Sequence, residues 1–585
     1  MKQLNNHTHF NHSQGHMNNR IVPLPVVALF LLASCSRQEE PATLVLRNGA
    51  IVTVDAAKPS AQAFAVRGDK IVAVGSDEEI QPFIDGSTVV VDLEGKMAMP
   101  GFIEGHGHFT GIGVMKMNLQ LMNVKNWDEI VAMVGDAAKN AKPGEWIIGR
   151  GWHQEKWDKV PTPNVEGVPL HASLDKVSPN NPVILRHASG HAGFANGKAL
   201  QLAGVTRTTP DPSGGEIVKD RQGNPTGFLR ETAQGLVSKA LSDALAKQTP
   251  EERETTARKE IDLAMQECLS KGITSFQDAG STFLTIDRLK QVVDEGKMLL
   301  RLWVMVRESV DDLAKNLAAY RTVGYGNNHL TVRAIKRTID GALGSRGAWL
   351  LEPYSDLPTS SGLNTSSLDE AKQIAQLALQ HEYQFCVHAI GDRANREILD
   401  IFESSFEQQP DKKDLRWRIE HAQHLNPSDI PRFGQLGVIA SMQGIHCTSD
   451  APYVPARLGA QRSEEGAYVW QKLMSTGALI VNGTDAPVED VNPIYSFYAT
   501  VSRKLNDGSV FYPDQRMGRE EALKSYTINA AQGAFEEAIK GSLTPGKLAD
   551  IVVLSKNIMT IPEDEIPSAE VLYTIVGGQI VYQKQ

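Results

Sequence analysis

Between residues 99 and 485, eight short apolar runs alternate with stretches of helical periodicity, and five of those runs contain or lead into ligand-type side chains. The runs are Met99–Glu104, Ile273–Asp278, Arg301–Arg307, Val332–Asp340, Gln384–His388, Arg416–His421, Val438–Gln443 and Ala478–Asp485. Short apolar runs separated by helices argue for βα units and a parallel sheet. Eight is the number that closes a barrel. The intervening chain carries helix signals: Thr249-Pro250-Glu251-Glu252 is a cap with proline in the first turn. It leads into Ile261, Ala264, Met265, Cys268 and Leu269 at helical spacing. The fold class is therefore α/β, a (β/α)8 TIM-like barrel.

Both chain ends read differently. Thr43 to Val54, Ala61 to Val74, Ala549 to Leu554 and Val571 to Tyr582 are rich in Val and Ile and are broken by turn residues. They predict a small composite β-sandwich from residues 43–98 plus 541–585, flanking a barrel over 99–540. About 165 residues separate the first run from the second, against a handful in an ideal barrel. This insertion, over about 110–270, carries its own strands and a hairpin-like stretch from Gly215 to Gly227. It leaves the barrel on the side where catalysis occurs in this fold, as a lid or substrate wall does. Trp152, Trp157 and Phe194 are its candidates for an apolar wall, with core packing the alternative.

The ligand-type residues lie in a fixed order. The first run leads into His106-Gly107-His108, and residues i and i+2 of a strand share a face, so both imidazoles can reach one ion. The fourth contains Lys336, the fifth ends in His388, the sixth in His421 and the eighth in Asp485. Each alone is weak, because a single histidine is more often a hydrogen-bonded core residue. Their conjunction on successive strand ends is not a chance pattern.

The first forty residues read as an export signal. Arg20 precedes an apolar run, Ile21 to Leu32, that is too short to span a bilayer. The run ends in Leu32-Ala33-Ser34-Cys35, which resembles a bacterial lipobox. Residues 1–35 are then a signal peptide with Met17 as the true start, Cys35 the lipidated N-terminus, and 36–42 a tether. Ser36 after the cysteine favours the outer membrane. The expectation is an exported outer-membrane lipoprotein facing the periplasm, touching the membrane only through its lipid anchor. The four cysteines form no CxxC pair, so neither a disulfide framework nor a thiolate zinc site is indicated. A net charge of −10 without a Lys/Arg stripe leaves no footprint for nucleic acid. A small-molecule substrate is the expected partner, with an oligomer open.

The ordered ligand set resembles the amidohydrolase superfamily. Pro100 to His108, Asp340 to Arg346, His388 to Arg393, Glu420 to His424 and Gly483 to Pro487 carry the resemblance, which runs from Leu44 to Val581. With Gly190 to Asn196 added, the nearest branch is amidohydrolase-3, which includes formamide deformylases. That branch usually has Ser-His-Thr-His where this chain has Gly105-His106-Gly107-His108.

The resemblance implies one or two divalent ions, zinc foremost. His106, His108 and Asp485 would hold one, His388 and His421 the other, with Lys336 bridging as a carbamate. Asp485 would also move the proton, and His191 would help stabilise the oxyanion. Asp340, Arg346, Arg393 and His446 are candidate substrate residues, the two arginines either as forks for a carboxylate or as loop-anchoring ion pairs. The implied reaction is hydrolysis of a non-peptide carbon–nitrogen bond. A lactone or phosphoester hydrolase on the same site is the first alternative, and a non-catalytic solute-binding lipoprotein the second.

Overall fold

The computed structural model describes residues 39–585 except 155–156, 188–191, 213–214 and 345. The signal segment, Cys35 and His191 lie outside the described residues. Eight parallel strands build the barrel: β1 Phe102–Gly107, β2 Ile273–Ser281, β3 Arg301–Val306, β4 Leu330–Thr338, β5 Gln384–Ala389, β6 Arg418–His421, β7 Ile439–Gln443 and β8 Ile480–Gly483. Parallel ladders join them in chain order from β1 to β8. Single contacts close the seam. The Asp485 N–H donates to the His106 carbonyl at 2.7 Å. Gly105 lets the strands approach: a Cβ there would stand 2.4 Å from the Asn482 carbonyl oxygen.

The run read as Met99–Glu104 is divided at Gly101. Met97–Pro100 pairs antiparallel with Ile551–Leu554 and belongs to a six-stranded sheet of the chain ends. The chain then enters β1, where a Cβ on Gly101 would collide with the Thr274 side chain. Continuous hydrophobicity hides this change of sheet. A four-stranded sheet built from Leu44–Arg47, Ala63–Arg67, Lys70–Gly75 and Val89–Asp92 completes the sandwich. Leu46, Phe64, Val66, Ile551, Val553 and Ile575 pack in one core between them. Barrel and sandwich are pinned by a buried ion pair, with Arg301 Nε and Nη2 on the two Asp550 carboxylate oxygens at 2.7 and 3.0 Å.

After β1 the chain forms the helix Phe109–Met117 and then the insertion, a six-stranded sheet whose hairpin pairs Gly215–Lys219 with Pro225–Glu231. Trp152 and Phe194 are fully buried in the insertion's own core with Trp127 and Phe228, so neither forms a substrate wall. Trp152 also donates its indole N–H to the Leu185 carbonyl, which satisfies its one polar atom in place. The helix Pro250–Ser270 returns to the barrel behind the expected cap, with Thr249 and Glu252 bonded reciprocally. It crosses Phe109–Met117 at Gly113, where a Cβ would fall 1.9 Å from the Glu260 carbonyl oxygen. Gly113→Ala is therefore expected to cost about 1–3 kcal/mol by overpacking. An unchanged urea midpoint would show that the two helices can separate freely. Among the described residues, no helix is long and apolar enough to cross a membrane.

Candidate metal centre

The C-terminal ends of the barrel strands bring together most of the residues singled out in the sequence. His106, His421 and Asp485 are buried, and their ligand atoms all lie within 4.8 Å of one another. His106 is inward by alternation with Glu104 on β1. His421 and Asp485 arrive by another route. Both have left-handed backbone, at φ 77° and 57°, which is costly for residues with a Cβ. Asp485 Oδ1 stands 3.2 Å from His108 Nε2 and 3.6 Å from His106 Nε2. The Lys336 amine lies 3.4 Å from His106 Nε2. The His388 ring is 4.5 Å from that of His421, centroid to centroid.

Burial dominates the electrostatics. It lowers His106 to about 4, helped by the neighbouring Lys336 charge. Burial likewise takes Lys336 down to about 8 and His421 well below its ordinary value. Burial alone would raise Asp485, but His108, His421 and His106 hold it well below the carboxylate range. The result is neutral imidazoles beside an ionised carboxylate, the protonation state in which these groups ligate metal.

The candidate substrate residues divide. His446 joins the centre: it is buried, its ring stacks 6.2 Å from His421, and its Nε2 has no hydrogen-bond partner. Asp340 reaches the edge of the centre, its Oδ1 3.4 Å from His388 Nε2. Its carboxylate accepts the N–H groups of Trp349, Ile390 and Gly391 at 2.8–3.0 Å, tying two loops together. Arg346 pairs with Asp356, a carboxylate it shares with Arg457. Arg393 lies over the Trp349 ring at 4.6 Å and 3.6 Å from Glu397. Both guanidinium groups are thus engaged in holding loops.

Four residues escaped the sequence reading. Glu104 accepts the backbone N–H groups of His106 and Thr484 and the Thr484 hydroxyl, at 2.7–3.2 Å, and so straddles the seam. Burial pushes it up to about 8. Two residues before His106 on the same face, it was findable by alternation. Gln443 accepts from His421 Nδ1 at 2.8 Å, and Glu420 is bonded to His106 Nδ1. Behind them stands Arg418, fully buried. Nothing in the sequence announces these partnerships.

His424, three residues beyond His421, is 2% exposed, and neither ring nitrogen has a hydrogen-bond partner. Burial lowers it to about 3. The unfolded chain therefore binds this proton below about pH 6.5 and the folded one does not, so stability is lost as pH falls from there toward 3. The slope from this group is about 1.4 kcal/mol per pH unit. His424→Met is expected to make the stability profile shallower by one proton between pH 6.5 and 5, read from urea midpoints. An unchanged slope would mean that the ring titrates normally.

A sequence profile of the amidohydrolase family matches residues 89–582. Protein LONG AFTER FAR-RED 3 of Arabidopsis thaliana is 36% identical over 552 residues, 92% of each chain. N-substituted formamide deformylase of Arthrobacter pascens is 28% identical over 549 residues, 92% of this chain and 98% of that one. An uncharacterised metal-dependent hydrolase from Pyrococcus furiosus shares the fold at a TM-score of 0.70 and 26% identity, over 88% of this chain and 100% of the other. The family and this neighbour support metal-dependent hydrolysis, and the buried His106, His421 and Asp485 converge as the candidate ligands of a divalent metal. Matched by the family profile over residues 89–582 and by a 36% identical relative over 92% of its length, the chain belongs to the amidohydrolase family.

Proposed function

We propose that this protein hydrolyses a non-peptide carbon–nitrogen bond in an amide, formamide or cyclic imide, using zinc held by His106, His421 and Asp485. The observation that carries the reading is the convergence of those three ligand atoms within 4.8 Å in a buried site. Two imidazoles and a carboxylate are a donor set that suits zinc. When bound, the ion supplies a water acidified from about 15.7 toward about 7. The bond class draws its support from the relative whose name is N-substituted formamide deformylase.

The chain's own groups do the rest. Asp485 Oδ1, beside His108 and His106, takes a proton from the attacking water and passes it to the departing nitrogen. His108 stands beside that oxygen, and His446, stacked on His421, is the proposed substrate contact. His191, outside the described residues, is the proposed partner of the oxyanion. Lys336 and His388 stand ready for a second ion, Lys336 as a carbamate formed from its neutral amine and CO2. Lys336→Ala is then expected to lose activity and lower the metal-to-protein ratio, with partial recovery in a short carboxylic acid. Full metal content with no rescue would favour a single ion and a plain amine.

The deciding experiment is metal analysis joined to a panel of N-formyl and N-acyl compounds, cyclic imides, lactones and phosphoesters. Turnover confined to the last two classes would replace the reading. Saturable binding without turnover of any compound would favour a solute-binding role. We also propose export and lipidation at Cys35, for which the support is the sequence pattern from Arg20 to Ser36. Cys35→Ala should abolish fatty-acid labelling, and retained label would sink the proposal.

A further inference from the structure

We infer that Glu420, held from behind by Arg418, is a positioning residue that decides which nitrogen of His106 faces the ion. The inference rests on the reading of His106 as a metal ligand. Glu420 Oε2 is bonded to His106 Nδ1, and both side chains are fully buried. An ionised carboxylate only accepts hydrogen bonds, so Nδ1 must carry the proton. Nε2 is then left with its lone pair, on the side of Asp485. An anion behind the ring also makes that lone pair a stronger donor.

Arg418 makes the arrangement rigid. Its Nη2 donates to Glu420 Oε2 at 3.1 Å and to Ser441 Oγ at 2.6 Å, while its Nε lies 2.8 Å from Glu420 Oε1. The same Nη2 donates to the Gly105 carbonyl at 2.8 Å, the peptide group immediately before His106. Nη1 reaches Gln277 on β2. One guanidinium thus grips His106 through its main chain and through the carboxylate on its ring. His421 is treated otherwise, since its Nδ1 meets only the neutral amide oxygen of Gln443 at 2.8 Å. The two imidazoles of the centre are chemically the same group made unequal by what stands behind them.

Glu420 and His421 are adjacent, and strand alternation would send them to opposite faces. The left-handed backbone at His421 and Ala422 lets both serve the same centre.

The test uses the metal-free protein, titrated with zinc against a chromophoric chelator, and the cobalt(II)-loaded protein, compared by visible absorption. Glu420→Gln is expected to bind zinc about 10–100-fold more weakly and to change the cobalt spectrum. Because that variant strands the Arg418 charge, Arg418→Met/Glu420→Gln, which removes both charges, is measured beside it and should show the same weakening. Wild-type affinity and spectrum in either folded variant would overturn the inference, leaving Glu420 as a mere counter-ion for Arg418. His106→Ala separates the two levels. If it binds zinc like the wild type, the ligand assignment itself falls, whatever Glu420 does.

Discussion

Asp485→Asn is expected to keep most of its metal and lose about 10²–10⁴-fold in kcat, the range ascribed to a general acid–base group. The amide retains an oxygen near His108 and His106, where the carboxylate Oδ1 now stands at 3.2 and 3.6 Å. It cannot accept and release the proton that the reaction needs. The backbone hydrogen bond from Asp485 to the His106 carbonyl is untouched, so the seam should stay closed. Metal content, kcat and a thermal melt measured together decide the matter. A variant that melts far lower, with normal turnover in its folded fraction, would make Asp485 a structural residue.

The largest effect on stability is expected away from the centre, at Asp550→Ala. Its carboxylate receives two hydrogen bonds from Arg301 and a third from the Gly577 N–H at 2.9 Å. Arg301 is 2% exposed, and the Asn327 and Asn328 carbonyls would remain as its acceptors, with the Glu536 and Asp69 charges acting from further off. Removing one partner of a buried pair leaves the other charge without compensation, at about 3–5 kcal/mol. Arg301→Met/Asp550→Leu, which removes both charges, should recover much of that loss. If the single variant unfolds at the wild-type urea midpoint, solvent reaches the pair and the sandwich is not pinned by it.

The barrel was legible because its strands are buried on both faces, so each reads as an unbroken apolar run. The same continuity concealed the switch of sheet at Gly101, where nothing in the hydrophobic pattern changes. Candidate ligands that obey alternation, such as His106 and His388, stood out at strand ends. Glu420 did not, because its role depends on a backbone inversion at the next residue. Arg346 and Arg393 looked available in sequence, yet their partners Asp356 and Trp349 are supplied by loop geometry. Charge type shows in a sequence; whether a charge is already engaged does not. Trp152 and Phe194 fall under the same limit, since an insertion large enough to need its own core takes its aromatics inward.

Glu104 and Thr484 meet across the seam although they stand 380 positions apart in the chain. At about 5–20 residues per second, a ribosome needs about 20–75 s to make that length. During this interval the nascent chain holds His106 and His108, and later His388 and His421, without the carboxylate of Asp485. An ion met early would find imidazoles alone, and the backbone that fixes His106 would have no neighbour on one side. The candidate three-ligand set is therefore complete only in the finished chain. A chain ending before Thr484 would lack both the seam contacts to Glu104 and one of the three candidate ligands.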